Sequence, residues 1–346
     1  MSKFLPNHIL VFRFSAMGDV AMTIPVLRAF TQQNPEVKIT VVTRPFFKPF
    51  FRDIENVEVF EADLKDKHKG FFGLYGLSKE LRQLDVDAIA DLHNVLRSKL
   101  LKLFLLDKRC IQIDKGRREK KALISGKIFE QLKTTHQRYA DVFEKLGFPI
   151  DLSSPTFPIK AKLSERLKLF ISSPELPTIG IAPFAAHESK MYPLAKMKEV
   201  ISKLSKTNNI ILFGGGQSEI EILNQFENDF QNTFSVAGKL SLDEELDLIS
   251  NLDTMLSMDS GNAHLAAMLG VKVITIWGVT HPYAGFAPFN QSEDCCLLAD
   301  RKKYPKIPTS VYGNKFPEGY ENAAGSIPVE RIIEKVNILI SNSEAV

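Results

Sequence analysis

Between His8 and Phe14 the chain is apolar and rich in β-forming residues, a run suited to a strand buried on both faces. The spacing then becomes helical, with Ile24, Leu27 and Phe30 in register toward Asn34. Pro25 leaves two starts open for that helix. It begins at Thr23 with the proline in its first turn, or at Asp19 with a kink. Strands are predicted next over 37–43, 57–60, 88–92 and 110–113, with helices over 95–106 and 135–146. A basic stretch, Lys115-Gly116-Arg117-Arg118-Glu119-Lys120-Lys121, leads toward the second of those helices. From Pro149 to Pro177 prolines and serines flank one amphipathic segment near Leu163–Phe170, the texture of a linker. The alternation then resumes, with strands over 178–182, 210–213, 234–237, 254–258 and 271–277. Helices fall at 194–206, 218–226, 242–250 and 261–269, and a less regular tail over 300–326 precedes a last helix near 329–340. Such repetition on both sides of a linker predicts an α/β protein of two Rossmann-like, doubly wound domains. They are placed at 1–160 and 178–346 with 161–177 as linker, facing a central cleft that is the default ligand site.

Bulk composition narrows the partners. The 346 residues, 44% hydrophobic and 25% charged, suffice for two cores. A net charge of +3 gives no electrostatic footprint for nucleic acid. Three cysteines, Cys110, Cys295 and Cys296, cannot form a disulfide framework and fit a reducing compartment. Apolar runs fall well short of the roughly 20 residues of a membrane span, and Arg13 and Asp19 interrupt the N-terminal one. A cytoplasmic protein is expected, with a peripheral contact at the membrane surface left open.

The candidate chemistry sits where predicted strands give way to helices. After the first strand, Ser15-Ala16-Met17-Gly18-Asp19 ends in a carboxylate that is either a helix-start residue or a working acid/base. In Met258-Asp259-Ser260-Gly261-Asn262-Ala263-His264 a helix starts inside a polar cluster. Free backbone N–H groups there suit a phosphate, and Gly261 permits close approach. His264 could donate to a phosphate oxygen; the bland alternative is a cap by Asp259 or Ser260. The turn Phe213-Gly214-Gly215-Gly216-Gln217-Ser218-Glu219 lacks the Walker and dinucleotide spacings. It is either a tight turn or a place where Gly214 and Gly215 admit a nucleotide and Glu219 accepts from its ribose. Lys190, on the long loop 182–193, is either solvated or set to stabilise a leaving diphosphate. Asp85-Val86-Asp87 has the metal-binding DxD form but precedes its strand, so it reads as a turn and no metal is expected. His93, Arg97 and Lys99 follow the strand 88–92 and could contact an acidic acceptor, while Arg138 and Tyr139 are structural or line the acceptor site. No HExxH, CxxC or GxSxG motif is present.

These motifs resemble glycosyltransferase family 9, the heptosyltransferase-like enzymes of lipopolysaccharide core assembly. The resemblance runs through Ile9–Val20, Asp91-Leu92-His93-Asn94-Val95-Leu96-Arg97-Ser98, Ser189-Lys190-Met191-Tyr192-Pro193 and Met258–Gly270. It implies a GT-B fold, an ADP-sugar or related nucleotide-sugar donor, a glycolipid or glycan acceptor, and inversion without metal or cofactor. It implies Asp19 as general base and Lys190 with 259–264 on the donor diphosphate. Glu219 would then take the ribose, and Ser15, Gly18, Arg97 and Arg138 the acceptor. Ala185 and Ala186 stand where hydroxyl residues often precede the motif lysine, leaving phosphate contacts there to backbone. The implied location is the cytoplasm, with peripheral contact at the inner membrane's cytoplasmic face left open. Three rivals remain: a nucleotide-sugar epimerase of GT-B fold, a non-catalytic nucleotide-sugar binding protein, and a nicotinamide dehydrogenase. The last lacks its glycine fingerprint after the first strand.

Overall fold

The structure, a computed structural model, describes residues 5–343. The chain forms two compact units, one of residues up to Lys115 with Lys133–Thr156, the other of Gly116–Leu132 with residues from Phe157 onward.

In the first unit β1 (His8–Phe12), β2 (Lys38–Thr43), β3 (Val57–Glu61), β4 (Ala88–Asp91) and β5 (Arg109–Gln112) form one parallel sheet in the order β3-β2-β1-β4-β5. Helices α1 (Met17–Ala21), α2 (Thr23–Gln33), α3 (Gly70–Arg82) and α4 (Leu96–Phe104) connect the strands. Beyond β5 come α5 (Arg117–Ile124), which clusters with the second unit, and α6 (Thr135–Leu146), which stays with the first. Both openings left for the first helix are realised in part. A short α1 carries Asp19, and α2 starts afresh with Pro25 in its first turn, where the missing N–H costs least. The Thr23 hydroxyl donates to the Val20 carbonyl at 2.6 Å across the break.

The second unit holds β6 (Thr178–Ala182), β7 (Asn209–Leu212), β8 (Thr233–Ser235), β9 (Thr254–Met258), β10 (Lys272–Trp277) and β11 (Cys296–Leu298), all parallel, in the order β11-β10-β9-β6-β7-β8. A one-turn α7 (Glu165–Lys168) precedes this sheet, and α8 (Leu194–Leu204), α9 (Gln217–Asp229), α10 (Leu242–Ser250) and α11 (Gly261–Met268) link its strands. The last described element is α12 (Val329–Ser343). Buried Ile, Leu and Met of β6, β7, β9 and β10 pack with residues of α8 and α12. These are the two doubly wound sheets of the GT-B class. In each, strand order reverses beside the first strand, between β1 and β4 and between β6 and β9. Ligands bind outside the carboxyl ends of strands at such switch points.

Candidate functional site

The loops at the first switch point are tied together by a buried arginine. Arg13, one residue past β1, donates to the Leu92 carbonyl at 2.9 Å and pairs with the Asp19 carboxylate at 2.5 Å. Its side chain is 6% exposed and that of Asp19 32%, so the acid keeps an open side. Asp19 also accepts the Ala16 N–H at 3.4 Å, and the Tyr139 hydroxyl donates to the Asp19 carbonyl at 3.3 Å. The carboxylate is therefore at a helix start and held toward solvent together. Ser15 and Gly18 are half-buried in the same turn.

His93 accepts the Phe14 N–H on Nδ1, which fixes a neutral ring. Burial first, then Arg13, Lys115 and Arg97, lower its pKa to about 3. Arg97 itself is exposed in the first turn of α4. Arg138 is buried, with its guanidinium donating to the Lys133 and Asp114 carbonyls. Asp87 accepts the N–H groups of Asn7 and His8 and so secures the start of β1, while Asp85 takes a left-handed turn at φ +47°.

At the second switch point Lys190 and Asp259 meet at 2.9 Å, with side chains 13% and 10% exposed. Thr280, just past β10, donates to the same Asp259 oxygen at 2.8 Å. Ser260 occupies the N-cap of α11 without capping it; its hydroxyl lies 3.1 Å from that of Ser257. With Asp259 committed to Lys190 and no side chain capping α11, that helix start stays suited to an anion. Gly261 and Asn262 are half-buried on its first turn, and His264 is buried just behind them. At the start of α9, Glu219 accepts the Gly215 N–H at 2.7 Å, bracing the glycine turn from within. A Cβ at Gly214 would sit 2.8 Å from the tip of the Leu223 side chain, which would have to shift to admit it.

Two contributors were not visible in the motifs. Thr280 carries no spacing signature, and Gly313 lies more than a hundred residues from the lysine it touches. At φ +82°, Gly313 lies so close to the lysine stem that a Cβ would be 2.6 Å from Cγ of Lys190, and its carbonyl accepts the Ser189 hydroxyl at 2.5 Å. The signal was the glycine in Tyr312-Gly313-Asn314.

Residues 74–314 match the family model described as glycosyltransferase family 9 (heptosyltransferase). The chain belongs to glycosyltransferase family 9. It is 24% identical to the lipopolysaccharide core heptosyltransferase OpsX of Haemophilus influenzae, over 84% of both chains. Its fold matches that of a family 9 glycosyltransferase from Veillonella parvula at TM-score 0.76, with 19% identity and 97% and 98% of the two chains covered. The E. coli ADP-heptose lipopolysaccharide heptosyltransferase II matches at 0.68, with 20% identity over 97% and 99%. As a family 9 member the chain is a glycosyltransferase, and its two doubly wound units are the GT-B architecture.

A further buried histidine gives this glycosyltransferase a pH signature. His281 accepts the Tyr283 N–H on Nδ1, and burial followed by Arg301 lowers its pKa to about 4. The unfolded chain protonates both histidines near 6.5 and the folded one resists, so the stability they confer is complete above that value. It drains away as pH falls toward about 4 for His281 and about 3 for His93. The melting temperature is expected to fall through this window, and His281→Gln to flatten its upper part. A slope that His281→Gln leaves unchanged would exclude that ring as a source.

Proposed function

We propose that this family 9 enzyme moves a heptose or related sugar from an ADP-sugar to a lipopolysaccharide-core or other glycolipid or glycan acceptor. Transfer inverts the anomeric centre by direct displacement without a metal. The observation that carries this reading is Lys190, paired with Asp259 beside the uncapped start of α11 at a switch point. An ammonium and free backbone N–H groups converging there suit a diphosphate. The sugar and nucleotide come from what the relatives are named for, heptosyl transfer and ADP-heptose.

In this reading Asp19 takes the proton from an acceptor hydroxyl. The freed oxygen bonds to the anomeric carbon as the bond to the diphosphate breaks on the opposite face, and ADP leaves. Lys190 with Asp259, Ser260, Gly261, Asn262 and His264 holds the diphosphate, and Glu219 with Gly214 and Gly215 the ribose. Ser15, Gly18 and Arg97 serve the acceptor, and Arg138 supports it through backbone carbonyls. A cytoplasmic enzyme working at the inner membrane's cytoplasmic face fits such an acceptor.

Thermal shift over ADP-, UDP-, GDP- and dTDP-sugars tests the donor. At a hundredfold excess over Kd, binding adds about 2.7 kcal/mol, enough to raise the melting temperature by a few degrees. The ADP-sugars are expected to give that shift. Equal silence from all four classes would overturn the donor reading.

A further inference from the structure

Helix α3 completes the core of the first unit with one face and leaves a second face bare. Leu74, Leu77 and Leu81 are buried against Leu101 and Leu105 from the α4 segment. On the other side Phe71, Phe72 and Tyr75 are exposed, Phe72 to 85%. These rings are continuous with one another and with α4. Phe71 lies 5.7 Å from Phe72 and 5.3 Å from Phe104, and Tyr75 lies 5.5 Å from Phe104, centroid to centroid. Leu103 and Leu106, which flank Phe104 in the chain, are exposed too, Leu106 to 76%. Single exposed apolar side chains are ordinary; a contiguous cluster of aromatic and leucyl side chains marks an interaction surface.

The charge around this cluster selects its occupant. Residues 63–82 and 96–108, together with Asp91, which pairs with Lys102, carry nine Lys and Arg against five Asp and Glu, a net of +4 where the whole chain has +3. One of those cations, Lys79, sits 4.6 Å over the Tyr75 ring. Among the described residues no helix is long and apolar enough to cross a membrane. Aromatic rings with lysines beside them are suited to the interface of an anionic bilayer, the rings below the headgroups and the ammonium groups among them. A two-fold contact between copies of this face would instead set like-charged rims against each other.

We propose that the exposed face of α3 and α4 docks the enzyme on an anionic lipid bilayer. The proposal rests on the glycolipid-acceptor reading for its purpose, but the two fail separately. Vesicles without acceptor test the face, and ADP-sugar binding without vesicles tests the donor site. Sedimentation with phosphatidylethanolamine–phosphatidylglycerol vesicles is expected to carry down the wild-type chain, and phosphatidylcholine vesicles far less of it. Phe71→Ser with Phe72→Ser is expected to lower the partition coefficient by about tenfold or more, the worth of withdrawing one or two rings from the interface. Phe72→Ser alone, at so exposed a position, keeps the wild-type melting temperature and isolates the effect from folding. Lys69→Gln with Lys79→Gln is expected to weaken binding to the anionic vesicles only. A wild-type chain left in the supernatant, or a double-serine variant that binds as tightly, overturns the proposal. Light scattering that shows a wild-type dimer dissolved by the serine substitutions overturns it too, and gives the face to a second copy.

Discussion

Asp19→Asn is expected to lower sugar transfer by about 10²–10⁴-fold, the usual worth of a positioned general base. Donor binding should survive, because the residues proposed for the donor all lie in the C-terminal unit and Asp19 lies in the other. The substitution is nearly isosteric, and the amide oxygen can still accept the Ala16 N–H. What it removes is the negative charge beside Arg13, whose guanidinium is almost wholly buried. Leaving a buried charge uncompensated costs about 3–5 kcal/mol when both partners are enclosed. Here Asp19 is one-third exposed and Arg13 keeps its bond to Leu92, so the loss should fall below that range. Turnover measured well below the melting temperature of the variant separates the two effects. Near-wild-type turnover by Asp19→Asn would remove it from the base role and leave it as the partner of Arg13.

That ion pair also marks the limit of what was legible in the residues. Arg13 interrupts an otherwise apolar strand and reads as a blemish in the periodicity. A cation so placed cannot be buried alone, so it announces an acid nearby without saying which. The strands of both sheets stand out because parallel strands covered on both faces are short continuous apolar runs bounded by turn residues. The motif loops stand out because polar residues interrupt that texture at strand ends. Helix α3 did not. Gly70, Gly73 and Gly76 dilute its helical pattern, yet a Cβ at Gly73 would collide with the His68 backbone, so at least one is required by packing. The three-residue edge strand β11 is also absent from the strands expected of the sequence. Gly313 and Thr280 reach Lys190 and Asp259 only through tertiary folding, and no spacing rule brings such distant positions together.

Lys190→Met is expected to lower kcat by about 10²–10³-fold, the cost of losing one preorganised group aimed at developing charge. The reading has a plain competitor, because Lys190 already has a partner. With Asp259 at 2.9 Å and both side chains nearly enclosed, the lysine could serve only to neutralise a buried carboxylate. Removing it then strands Asp259 with the Thr280 hydroxyl alone, destabilising the unit and repelling any diphosphate nearby. Lys190→Met combined with Asp259→Asn, read against Asp259→Asn alone, separates the alternatives, since it removes both charges and leaves no stranded ion. If the lysine is structural, the double variant should regain both the melting temperature and the turnover of the wild type. If it holds the leaving diphosphate, stability should return while kcat stays depressed. Gly313→Ala offers an independent approach that keeps both charges. A methyl group there would be strained at positive φ and would press on the lysine stem, so it should lower kcat without removing either ion. Recovery of turnover in the double variant would end the case for Lys190 as the diphosphate ligand.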